Sequence, residues 1–274
     1  MRDLFLGLLL SCAVAIAVRA AEPAKSLALP DLPAVTQKTV QKHVGKGQIT
    51  AIEQRIDEGE TIYEVEFDNH GQKRGLSVGA DGTLLSIEVA LAETPAPVRK
   101  TINEQLKGAT LGVIDKVFDD DEVSYEVEIK RGPVERSFTV DSNGKLIHLQ
   151  VDFAETPKGV QKTITAQGGK VGEIFRVIEK GQLYYDAEVT KDGQKREISV
   201  GENGHLDAVR VSLSDLPAPA QKTVKERLGN GHLQRVDKCF DDRENVTFEI
   251  SAKKDGKRFD FIVGPQGRFK GMNK

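Results

Sequence analysis

The sequence predicts an α+β protein of four tandem repeats, each a helix packed on a four-stranded antiparallel β-meander. Three observations carry this expectation. Gln37-Lys38-Thr39 returns as Arg99-Lys100-Thr101, Gln161-Lys162-Thr163 and Gln221-Lys222-Thr223, with lysine-to-lysine steps of 62, 62 and 60 residues, and a fixed period marks a repeat architecture. Tyr63, Val65 and Phe67 alternate with Glu64 and Glu66, as Tyr125, Val127 and Ile129 do with Glu126 and Glu128; that is the pattern of a half-buried strand. Asp81-Gly82, Asn143-Gly144 and Asn203-Gly204 supply turn residues before the last strand of a copy.

The elements of one copy follow in order. Pro33, Pro95, Pro157 and Pro217 open a helix at its first position, where a missing amide costs nothing, and Thr94 and Thr156 stand where a cap would be. Apolar residues then recur every fourth position: Thr36, Val40 and Val44; Val98, Ile102 and Leu106; Val160 and Ile164; Ala220, Val224 and Leu228. Gly168 and Gly169 make the third helix the weakest.

A first strand starts at Ile49, Leu111, Val171 and Leu233, with partners three residues on, a spacing that fits neither helix nor strand well. The alternating second strand and a glycine turn lead to a third strand through Leu76-Val78, Phe138-Val140, Ile198-Val200 and Phe261-Val263. The fourth strand is expected to bury Leu85, Ile87, Val89 and Leu91 in the first copy, with Leu84, Leu146 and Leu206 outward, and to be stunted in the last copy, where the sequence stops at Lys274.

The boundaries are a signal segment over 1–20, a linker over 21–31, and repeats over 32–93, 94–155, 156–215 and 216–274. Arg2, the apolar run Leu4 to Val18, and Ala20-Ala21 have the order of a cleaved secretory signal. The alternative is lipidation at Cys12 after Leu10-Ser11. The expected location is periplasmic or secreted, with no transmembrane segment after cleavage. The net charge of −3 carries no basic stripe for nucleic acid.

The opening helix, the Tyr-Glu-Val-Glu strand at Tyr63 to Glu66 and Tyr125 to Glu128, and the Asp-Gly or Asn-Gly turn together resemble PepSY-like domains and the related repeats of the β-lactamase inhibitory protein. The resemblance runs from about Leu32 to Lys274. It implies an exported α+β binding module, inhibitory in some relatives, with no catalytic residues.

Candidate site residues are Glu64, Glu66, Glu126, Glu128, Asp186 and Glu188, which share the strand face away from the helices. Cross-strand pairing with Lys73, Arg136, Lys195 and Lys257 explains such a row without a ligand, and a solvated head on a packed stem explains the recurring Lys38, Lys100, Lys162 and Lys222. No cofactor or metal is expected: Asp119-Asp120-Asp121-Glu122 and Asp241-Asp242 lack the spacing that wraps calcium, and the five histidines fall at unrelated points of the repeat. Cys239 reads as a small core residue. The expected function is capture of an envelope or extracellular protein or peptide on the open sheet face, without catalysis; the alternative is a structural spacer of the cell envelope.

Overall fold

The computed structural model describes residues 27–57, 59–119, 122–179, 181–254 and 257–273. The signal segment, Cys12, the start of the linker and Asp120-Asp121 lie outside the described residues. The described residues form two compact units, one over 27–146 and one over 147–273.

In the first unit a 3-10 turn (Leu29–Asp31) precedes α1 (Ala34–Val44), β1 (Gln48–Asp57), β2 (Glu60–Asn69), β3 (Gln72–Gly79) and β4 (Leu84–Glu88). A second 3-10 turn (Leu91–Glu93) leads to α2 (Ala96–Leu106), β5 (Thr110–Asp119), β6 (Glu122–Arg131) and β7 (Val134–Asp141). The second unit holds β8 (Leu146–Gln150), the turn Phe153–Glu155, α3 (Lys158–Ala166), β9 (Lys170–Glu179), β10 (Gln182–Lys191), β11 (Gln194–Gly201) and β12 (Leu206–Arg210). It ends with the turn Leu213–Asp215, α4 (Ala218–Leu228), β13 (His232–Phe240), β14 (Val246–Lys254), β15 (Lys257–Val263) and β16 (Phe269–Asn273). The protein is therefore α+β, and within each unit sequence-adjacent strands pair antiparallel.

Helices cover one face of each sheet. Thr36, Val40 and Val44 of α1 are buried, and Val40 and Val44 pack on Ile52, Tyr63, Val65, Phe67, Leu76 and Val78. The same arrangement packs Val160 and Ile164 on Tyr185 and Val200, and Ala220, Val224 and Leu228 on Phe248 and Phe261. α3 has nine residues where the other helices have eleven, as Gly168 and Gly169 dictate.

The recurring tripeptide has a mechanical meaning. Thr39, Thr101, Thr163 and Thr223 each donate a hydroxyl hydrogen bond to the carbonyl of Gly82, Gly144, Gly204 or Gly267, at 2.6, 2.6, 2.6 and 2.7 Å. The residue two before each threonine donates to the chain entering the helix, as Gln37 does to Leu32 and Gln161 to Thr156, both at 2.8 Å. Only glycine fits the pinned turn. Gly144 has φ +86°, and a Cβ there would stand 2.7 Å from the Pro97 carbonyl. Thr101→Val, which removes one pin without changing shape, should lower unfolding stability by about 1 kcal/mol, read as a shift in urea midpoint.

Four sequence expectations need correction. The odd spacing of the first strand is a β-bulge: the register slips between Ile49 and Ala51 and between Leu111 and Ile114, so that Ile49 and Ile52 both face the helix. A second slip puts Leu84 opposite Val78 and Leu206 opposite Val200, which turns both leucines into the core instead of outward. Leu91 belongs to a 3-10 turn and not to the fourth strand, and Thr94 and Thr156 donate to the Leu91 and Phe153 carbonyls rather than cap the helix. β16 has five residues, the same as β4, β8 and β12, and is not stunted.

Candidate functional site

The sheet face away from the helices is sunken, and alternation alone does not reveal that. Ser77 and Ser86 are each 3% exposed and Ser199 and Ala208 each 1%, although no helix packs there. Asp115 on β5 is influenced by Glu64 on β2, three strands away. Small side chains occupy the middle of the face, and longer charged neighbours cover them, as the Glu64 carboxylate covers the Ser77 hydroxyl that bonds it.

In the first unit Glu64 is held by Arg55 at 2.7 Å and by the Ser77 hydroxyl at 2.5 Å, which in turn accepts from Ser86 at 3.1 Å. Glu126 stands directly opposite Asp115, and Glu88 stands opposite Asp115 from the other side. Burial, then the neighbouring carboxylates, push Asp115 up to about 7 and Glu126 up to about 8. Glu66 and Glu128 lie further along β2 and β6 and are exposed.

In the second unit Asp186 is buried opposite Ser199, and burial raises it to about 6. Arg235 and Asp237 form a buried ion pair on β13, and Arg210 bonds Glu197 at 3.0 Å. Burial followed by Asp237 raises Glu249 to about 8. Glu188 is part-exposed and pairs with Lys195 at 2.7 Å.

The six sequence-predicted carboxylates therefore separate into two kinds. Glu66, Glu128 and Glu188 keep contact with solvent, whereas Glu64 and Glu126 are half-buried and Asp186 is buried, so these three are not the solvated row expected. Among the expected cross-strand cations Lys195 reaches its carboxylate, but Glu64 is met by Arg55 of the first strand. Lys38, Lys100, Lys162 and Lys222 are exposed; the side chains of Lys100 and Lys222 are 77% exposed and within 4 Å of Glu104 and Glu226, so their stems are not packed on the sheet. Tyr63, Tyr125, Tyr185 and Cys239 are buried.

Asp115, Glu88 and the Arg235–Asp237 pair were missed as partners of this face. Their placement follows from the bulge, which the structure reveals: once Ile49 and Ile52 both face the helix, the position after Ile52 points outward, and Asp115 and Asp237 hold the equivalent positions. Among the described residues no group of three or more histidine, cysteine or carboxylate side chains is arranged to hold a metal ion, and no helix is long and apolar enough to cross a membrane.

A family described as "Putative beta-lactamase-inhibitor-like, PepSY-like" matches residues 21–86, 83–148 and 124–208, together more than half of the chain. A maltooligosaccharide ABC transporter solute-binding lipoprotein of Streptococcus pneumoniae is 32% identical over 110 residues, which are 39% of this chain and 25% of that protein. The chain thus spans about a quarter of the length of this curated relative. A "putative periplasmic" protein of Bacteroides eggerthii aligns over 43% of this chain and 87% of its own, at 15% identity and TM-score 0.35. A BLIP-like protein of Bacteroides fragilis aligns over 43% and 84%, at 16% identity and TM-score 0.31.

Proposed function

Because the chain belongs to the PepSY-like, β-lactamase-inhibitor-like family, we propose that it is an exported, non-catalytic module that binds a protein or peptide of the cell envelope or exterior. It is read as four copies of one domain, over 32–93, 94–155, 156–215 and 216–274. The threonine-to-glycine pin that closes each copy supports that division.

The observation that carries the binding reading is the equivalent placement of Glu66, Glu128 and Glu188 on the face that the helices leave open. Beneath them Glu64, Glu126 and Asp186 are committed to the sheet's own polar layer. These solvated carboxylates, Glu188 by exchanging its Lys195 partner, are then the groups that meet a partner, and a basic segment is the complement they favour.

The test is a triple reversal, Glu66→Lys, Glu128→Lys and Glu188→Lys. Exposed charges contribute little to folding, so stability should change by less than about 1 kcal/mol apart from the loss of the Glu188–Lys195 pair. Retention of a partner from envelope extracts, identified by mass spectrometry with the unaltered protein, should be lost. If the partner is retained by the triple variant and lost on Lys38→Glu with Lys100→Glu, the binding surface is the helix side and the present reading fails.

A further inference from the structure

The three strand-to-strand joints described within the units place the same positions opposite one another: Glu88, Asp115 and Glu126; Gln150, Phe175 and Asp186; Arg210, Asp237 and Glu249. Only the first row is made of carboxylates alone. The second carries a neutral amide and an aromatic ring, and the third carries Arg210, with Arg235 bonded to Asp237.

Side chains directly opposite across antiparallel strands lie about 5 Å apart, where like charges destabilise the pairing. Among the described residues Arg74 draws Glu88 down, but burial outweighs it and Glu88 stays raised. Glu128 on β6 and Glu64 on β2 add further carboxylates around Asp115. Arg55 is held by Glu64 and Asp57, and Arg74 by Glu93. Lys130 is held by Glu135, and Lys116 lies over the Phe118 ring. Glu126 faces the uncharged Thr139 on β7, and Glu88 accepts the Gly75 amide at 3.1 Å.

We propose that the β4–β5 joint is a proton-controlled joint, closed when the Glu88–Asp115–Glu126 row retains protons and loosened when the row is fully ionised. A protonated Asp115 or Glu126 donates to its neighbour and turns a repulsive contact into a hydrogen bond. The upward displacement of both groups by burial and like charge is consistent with this. The sign follows: closing takes up protons, so the joint is firmest below the ordinary carboxyl range and weakens as pH rises through about 7 and about 8.

The experiment is amide hydrogen exchange of β4 and β5 between pH 5.5 and 8.5, corrected for the intrinsic pH dependence of exchange, on the whole mature protein and on Asp115→Asn. Each proton taken up on closing changes the opening constant by up to about tenfold per pH unit. The unaltered protein should lose protection at β4 and β5 as pH rises while the β8–β9 joint retains it, and Asp115→Asn should flatten the profile. Glu126→Gln gives the same readout should the first variant fold poorly, and the infrared band of protonated carboxyls near neutral pH should diminish in either variant, Glu249 continuing to contribute to it. Parallel profiles in unaltered and variant protein overturn the proposal. So does recovery of protection at pH 8.5 on adding calcium or magnesium alone, which would make the neutralising species a cation and not a proton.

Discussion

Phe138→Ala is expected to lower unfolding stability by about 3–5 kcal/mol, the range for deleting a buried aromatic side chain. Phe138 is 1% exposed on β7, directly opposite Val127 of β6, on the face covered by α2 with Val98 and Ile102. Both helix residues are fully buried, so the space vacated by the ring has no side chain free to collapse into it. The loss should appear as a lower urea midpoint followed by circular dichroism. Phe153→Ala is the control, since Phe153 is 36% exposed in a 3-10 turn and should cost far less. A Phe138 variant as stable as the Phe153 variant would show that β7 is not packed in this register.

Arg235→Ala should cost a comparable amount, about 3–5 kcal/mol, for an electrostatic reason. Arg235 is 6% exposed and Asp237 4%, and their side chains are bonded to one another within β13. Burial works against the guanidinium charge, and Asp237, with Glu197 and Asp186, more than offsets it. Removing the arginine leaves the Asp237 carboxylate buried without its cation, beside Asp186 and Glu249. The double variant Arg235→Met with Asp237→Leu removes both charges at similar volume and should recover most of the loss. If the double variant is no better than the single one, the penalty lies in packing and not in the stranded carboxylate.

Much of this fold was legible in the sequence because its signals are local. Proline entry, four-residue spacing in the helices, Tyr-Glu-Val-Glu alternation and Asn-Gly turns each involve neighbours along the chain. The bulges were not legible in advance: one extra residue between Ile49 and Ile52 blurs a two-residue period without announcing itself. That single residue decides whether Asp115 joins the face bearing Glu126. Alternation also says which side a residue points to, and not whether that side is wet. Glu64, Glu126 and Asp186 were assigned to the right face, but their burial depends on neighbours on other strands: Ser77 and Arg55 at Glu64, Asp115 and Thr139 at Glu126, and Ser199 at Asp186. The pairing of Glu188 with Lys195, seven residues apart through one hairpin, was legible; the meeting of Glu64 with Asp115 across three strands was not.

The threonine pins and the joints differ in how they resist a pull on the chain. Each pin ties a helix to a turn about forty residues later inside one copy, and hairpins such as β5–β6 add long ladders to it. The joint β4–β5 is registered over Glu88, Ile87 and Ser86, with a further bond from the Val89 amide to the Ile114 carbonyl, and β12–β13 over Arg210, Val209 and Ala208, with a further bond from Val211 to Val236. Under tension applied along the chain, a ladder of three residue pairs should yield before one of eight. The pairings β3–β4 and β11–β12 are equally short, so β4 and β12 are held weakly on both sides and should be the strands that part first under load, while hairpins such as β5–β6 hold.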